Sequence, residues 1–242
     1  MKPLLALVLM CWALAAAAAP GPPAERTPFQ ARCEDSIGET LSVLTGVQNG
    51  FRIDNSVGYR SLTVMKGSTP SQRLHPGQVV LGLTRTESRV SINVGGRLLS
   101  DPASGYECIA PHIEVRLTYP PIVVYVSREF PPGSCAYEEV LAHEMRHLNT
   151  YLDYLPKAEA RVRAALAQRF EDKPLYARAG QAQGLLQREI DRGWMPYIKN
   201  EMAKVEALQA AIDSPQEYAR LGKVCGGEVQ SLLRPPRRNN AS

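Results

Sequence analysis

The sequence predicts an α+β fold in which a small, mostly antiparallel sheet precedes a long antiparallel helical hairpin. Three observations carry this expectation. Between Cys33 and Phe130, short apolar runs alternate with polar residues and are separated by turn residues, the period-two pattern of half-buried strands. After Pro131-Pro132-Gly133-Ser134 the apolar spacing changes to fours and threes, the period of a helix with one buried face. A single break at Glu171-Asp172-Lys173-Pro174 divides the helical part in two, and so short a connection makes the halves antiparallel neighbours.

Taken in order, residues 1–19 read as a secretory signal peptide. Met1-Lys2 is the basic start, an apolar stretch runs to Leu14, and Ala15 to Ala19 offer small-residue cleavage sites. The stretch is short for a membrane anchor, and no later segment is long and apolar enough to span a bilayer, so stable membrane insertion is not expected. Residues 20–32 form a Pro/Ala linker, and residues 33–130 a β-rich subdomain. Strands are expected at 41–47 and 61–65, with 78–83 and 89–94 as a hairpin and Gly95-Gly96 as a turn. Strands 112–119 and 122–126, divided by Pro120-Pro121, should be antiparallel neighbours. Residues 131–228 form the helical hairpin. Ser134 caps its first helix, and Leu141, Met145, Leu148, Leu152 and Leu155 make its apolar stripe. Pro156 kinks this helix, and Val162, Leu166 and Phe170 carry the period on. The second helix starts at Pro174 and runs to about Asp213. Residues 229–242 are a basic, disordered tail. The formal net charge is +4, much of it in this tail, and no nucleic-acid binding is expected from it.

The first helix carries His143-Glu144-Met145-Arg146-His147, in a chain with 4 histidines. Residues four apart on a helix share a face. Both imidazoles can therefore hold one zinc ion, and Glu144 can reach the attacking water as its general base. A chain of this composition is expected to contain such a motif by chance about 0.005 times. Val140, Leu141 and Ala142 before it and Leu148 after it suit a half-buried helix. The bland alternative is a solvated face that carries two histidines.

A catalytic zinc ordinarily takes three protein ligands and keeps one position open. Asp153 is one candidate for the third, but on a continuous helix it points away from the pair. Glu201 is preferred. It sits on the apolar seam of Trp194, Ile198, Val205, Leu208 and Ile212, where an unpaired carboxylate is costly to bury. A hairpin turning near residues 172–175 also sets it level with residues 144–149. This arrangement needs the second helix to cover the histidine face while the Leu141–Leu155 stripe faces the sheet. The alternative for Glu201 is a salt bridge to a histidine or an arginine. Tyr154 and Tyr197 fall near the site by the same count and are candidate oxyanion stabilisers, though core or rim tyrosines are commoner. His112 and His75 read as strand-end and turn residues, and Arg146 should point away from the metal.

Cys33, Cys108, Cys135 and Cys225 follow the signal segment. An even count in an exported chain implies two disulfides. Cys135 opens the first helix and Cys225 follows the return of the second, so Cys135–Cys225 can close the open end of the hairpin. Cys33–Cys108 then ties the strand-rich part. Chain entropy gives roughly 4–5 kcal/mol for each such loop.

The run from Cys135 to His147, followed by a long helix pair, resembles exported bacterial zinc metallopeptidases with an HExxH motif, zincins of a minimal gluzincin-like kind. The specific likeness covers the run from Cys135 to His147, and it departs from the extended signature at Arg146 and Asn149. The resemblance implies a small twisted sheet with the active-site helix beneath it, and a Glu on a downstream helix as third ligand. Two functions follow as expectations. The first is a zinc-dependent hydrolase of amide or peptide bonds, periplasmic or secreted, acting on a peptide or peptidoglycan-type substrate. The second is a non-enzymatic periplasmic partner-binding protein whose zinc site is structural or vestigial.

Overall fold

In a computed structural model of the chain, the described residues are 26–38, 40–67 and 78–231. The expected signal peptide, His75 and most of the basic tail lie outside them. The fold is α+β, with small mixed sheets beside a long helix.

The strands form two small sheets, the two halves of the β part. In the first half, β1 (Leu41–Val47) runs parallel to β5 (Tyr106–Tyr119), which pairs antiparallel with β4 (Arg89–Asp101). In the second half, β2 (Phe51–Asp54) runs parallel to β6 (Ile122–Val126), which pairs antiparallel with β3 (Gly82–Arg85). Pro120-Pro121 has no N–H to give to a ladder, and the break between β5 and β6 falls there. The halves stay tied across it, because Gln48 N–H donates to the Tyr119 carbonyl (3.0 Å) and Ile122 N–H to that of Gly50 (3.3 Å).

Several expectations are corrected. The strands are mixed and not purely antiparallel: β1 and β2 run parallel to their partners, while the β3–β6, β4–β5 and β5–β7 pairings are antiparallel. Strands β5 and β6 do not pair; they belong to different sheets. The expected 78–83/89–94 hairpin does not form either, because β3 and β4 pair with β6 and β5. Gly95-Gly96 lies inside β4. A Cβ on Gly96 would stand 2.2 Å from the Ala110 carbonyl oxygen, so glycine marks a close backbone approach there, not a turn. Residues 61–65 belong to a helix, α2 (Tyr59–Gly67). It buries Leu62 and brings Met65, three residues on, against Val80 and Leu83, while Val64 faces water. The end of the expected linker is also helical: Thr27 caps α1 (Pro28–Asp35).

Ser134 caps α3 (Cys135–Phe170), accepting from Tyr137 N–H at 3.2 Å, and the helix continues through Pro156. Of the expected stripe only Leu148 and Leu155 are buried, and Leu141, Met145 and Leu152 are half-buried. Val140, Glu144, His147, Tyr151, Tyr154, Ala158 and Val162 are buried too, because α3 is covered on two sides. The returning half is segmented. Strand β7 (Leu175–Arg178) pairs with the start of β5, where a helix beginning at Pro174 was expected. Then come α4 (Ala182–Glu189), a π turn (Ile190–Trp194), α5 (Met195–Ala203), α6 (Val205–Ile212), α7 (Pro215–Leu221) and α8 (Glu228–Ser231). Residues 229–231 of the expected tail are thus helical, with Val229 buried.

The main apolar cluster joins Val43, Ile113, Val115 and Leu117 of the sheet to Leu148, Leu155 and Val162 of α3, and to Ile198, Met202 and Val205 of the return. Disulfides join Cys33 to Cys108 and Cys135 to Cys225, the pairs expected. The first is fully buried. The second ties the N-terminus of α3 to the segment after α7.

Candidate metal centre

Helix α3 places His143 and His147 one turn apart, with their Nε2 atoms 3.2 Å from each other. Asp213 Oδ1 lies 3.2 Å from each of the two. Asp213 is there because α6 ends at it and α7 begins just beyond. Ser214 caps α7, accepting from Glu217 N–H at 3.2 Å, and Pro215 takes its first turn. The junction turns the Asp213 carboxylate back onto α3.

These three donors could hold a metal ion. Metal–nitrogen distances of 2.0–2.1 Å in a tetrahedral site imply ligand–ligand edges of about 3.3 Å, close to the three edges seen. The outward nitrogen of His147 is held as a ligand requires. His147 Nδ1 is 2.5 Å from Gln209 Oε1, and Gln209 Nε2–H donates to the His147 carbonyl at 3.1 Å. An Nδ1–H given to Gln209 leaves the Nε2 lone pair facing the centre. His143 Nδ1 lies 3.3 Å from Glu217 Oε1, and Glu217 also binds Arg146 and Arg220. Arg146 therefore does not point away, as expected, but closes over His143.

The charges reinforce one another. Burial alone would raise the Asp213 carboxyl, but the bonds to His143 and His147 and the Lys66 ammonium hold it far below the usual range. Lys66 Nζ is 2.9 Å from Asp213 Oδ2. Burial would lower His147, yet Asp213, Glu144 and Gln209 together raise it. Glu217 is held at about 2, chiefly by its bond to Arg220. Burial pushes Glu144 up, more than the two histidines and Thr84 pull it down.

Glu144 is wedged against β3. The Thr84 hydroxyl lies 2.9 Å from both its Oε2 and its backbone carbonyl. Gly82 leaves room for it, since a Cβ there would stand 2.6 Å from Glu144 Oε1 and 2.7 Å from Val140 Cγ1. A cleft of about 300 Å³ opens beside His143, Glu144, Asp213 and Tyr218, walled by Val80, Leu81, Val140, Leu221 and Val229. A second cavity of about 20 Å³, bordered by Thr84, Glu144, Tyr151 and Gln209, has room for one water.

Of the residues named from the sequence, His143, Glu144 and His147 come together. Glu201 does not join them. It is buried, with Oε2 2.9 Å from Arg161 Nε and Oε1 on Lys204, the salt-bridge alternative. Tyr154 donates to the Glu201 carbonyl (2.8 Å) and accepts from Arg161 (2.7 Å), so it turns to the same ion pair. Tyr197 stacks edge-on against Trp194 at 5.7 Å, away from the cleft. Asp153 and His112 are exposed on α3 and β5. The residues not foreseen are Asp213, Gln209, Glu217, Lys66, Thr84 and Gly82. One signal was available: Asp213 precedes Ser214-Pro215-Gln216-Glu217, a helix-start pattern with its cap, its proline and an acid three residues on.

No family model, curated protein or solved structure matches the chain.

Proposed function

We propose that the chain is a zinc-dependent hydrolase of amide or peptide bonds. The observation that carries this reading is a His-His-Asp triad with equal 3.2 Å edges beside a buried Glu144, with His143, Glu144 and Asp213 opening on one cleft and His147 on the small cavity next to it. Bound by His143, His147 and Asp213, zinc would supply a Lewis acid that polarises a carbonyl and makes water acidic. The protein residues do the rest. Thr84 holds Glu144 Oε2, which leaves Oε1 to take a proton from the attacking water and deliver it to the leaving nitrogen. A carboxylate raised by burial suits both halves of that task. The aliphatic walls exclude water and receive an apolar part of a peptide or peptidoglycan-type substrate. Two disulfides accord with an oxidising compartment. Among the described residues no helix is long and apolar enough to cross a membrane. Both are compatible with a periplasmic or secreted protein.

The test is metal analysis and hydrolysis on generic peptide and cross-linked peptidoglycan libraries. The purified protein should hold about one zinc, lost in the His143→Ala/His147→Ala double variant. Glu144→Gln should keep zinc and lose hydrolysis by several orders of magnitude. Zinc bound with no cleavage of either library would favour the partner-binding alternative, and full zinc occupancy in the double variant would remove the site.

A further inference from the structure

We propose, on the hydrolase reading above, that Lys66 is the cation that faces the carbonyl oxygen of the scissile amide. The tyrosines expected for that task are committed elsewhere, Tyr154 to the Glu201–Arg161 pair and Tyr197 to Trp194. Lys66 stands where they do not. Its side chain is 14% exposed, and lysines are seldom buried without a partner or a task. Among the described residues that line the cleft it is the sole cation, beside the carboxylates Glu144 and Asp213. It borders the small cavity behind Glu144 as well.

The ammonium has three donors, and one goes to Asp213 Oδ2 at 2.9 Å. The other oxygen of that carboxylate, Oδ1, meets both imidazoles. Asp213 is thus divided: Oδ1 belongs to the metal position and Oδ2 anchors Lys66. Among the described residues Asp213 is the one acceptor of Lys66, and its other N–H bonds go to an oxygen that enters between it and Glu144. A donor fixed in advance, in a site shielded from water, acts at full strength on charge that develops there.

The step balances without a redox partner. A water O–H bond breaks and its proton goes to Glu144. The water oxygen bonds to the carbonyl carbon, and the carbonyl π pair moves onto its oxygen, where Lys66 donates. On collapse the pair returns, the C–N bond breaks, and the Glu144 proton goes to the leaving nitrogen. Tyr218 is the rival donor in the cleft, but it is 39% exposed and so more open to water than Lys66.

The probe is a phosphoramidate dipeptide, whose anionic tetrahedral phosphorus mimics the addition product. Zinc content and probe dissociation constant are measured for wild type, Lys66→Met, Lys66→Arg and Tyr218→Phe, with folding followed by circular dichroism. All four should fold and hold one zinc. Lys66→Met should bind the probe roughly 100-fold more weakly, and Lys66→Arg, which keeps the charge, within about 10-fold of wild type. Unchanged probe affinity in zinc-loaded Lys66→Met overturns the proposal. So does loss of zinc in that variant, which would make Lys66 only a holder of Asp213, and so does a loss that appears in Tyr218→Phe instead. Zinc-loaded wild type that ignores the probe overturns it too. Wild type without zinc removes the hydrolase reading itself, and the proposal with it.

Discussion

Asp213 and Glu201 are acids on the same returning half of the chain, and their surroundings assign them opposite tasks. Glu201 is neutralised by Arg161 and Lys204, whereas Asp213 shares its charge between two imidazoles and Lys66. Asp213→Ala should lower zinc affinity by more than about 100-fold, because loss of a mere orienting partner already costs 10- to 100-fold. Glu201→Gln should leave zinc affinity unchanged and lower stability by about 1–2 kcal/mol. Arg161 and Lys204 are half-exposed, and water can take over their charges. Chelator competition and urea denaturation separate the two variants, and the reverse pattern would return the third ligand to Glu201. The motif residues were legible because their geometry is local: two histidines four apart on a helix must share a face. The third ligand was not legible, because its level depends on the length of the connection. Strand β7 and the turns on either side of it replace the tight turn assumed at residues 172–175. The partner of His147 is consequently Gln209, two turns beyond Glu201.

At the scale of elements, α3 and β3 form the unit that holds the general base. Strand β3 lies at the edge of its sheet half, with β6 on one side and Glu144 and Val140 against its start. Gly82→Ala places a methyl group where the Glu144 carboxylate stands. Zinc should still bind, hydrolysis should fall at least 10-fold, and stability should drop by about 1–3 kcal/mol from overpacking. Wild-type turnover in this variant would mean that the Glu144 position is not what the base requires. The strands were legible where alternation met burial on one face, as in β1 and β5. They were not legible where a helix makes the same pattern. Leu62 and Met65 are both three apart and part of an apolar–polar run, and contact with Val80 and Leu83 settles the helical choice. The pairing of strands was also beyond local reading. Parallel β1 and β2 find partners far along the chain, and Pro120-Pro121 separates strands of two different sheets, not the arms of a hairpin.

At the scale of the molecule, three tethers converge on the cleft. Lys66 comes from the end of α2, His143, Glu144 and His147 from α3, and Asp213 with Glu217 from the return. The main apolar cluster unites the sheet strands, α3 and the return as far as Val205, and α2 packs in a separate cluster around Leu62, Val80 and Leu83. The class of fold was legible because the change of period near residue 131 is abrupt. The disulfide pairing followed from the hairpin, whose open end brings Cys135 and Cys225 to a Cα separation of 5.6 Å. That bridge has a further consequence. Cys135 precedes His143, and Cys225 follows Asp213 and Glu217, so every donor and the general base lie within one covalent ring. A single cut in the exposed turn that follows Arg178 opens the ring without dividing the molecule. Nicked protein should run as one band without reductant and as two with it. It should keep its zinc in the first state and release it in the second. Release on nicking alone would show that the backbone at β7, and not the bridge, holds the halves in place. The ring works as a clasp with two catches, one a peptide bond and one a pair of sulfurs, and a protease that undoes the first still leaves the second closed.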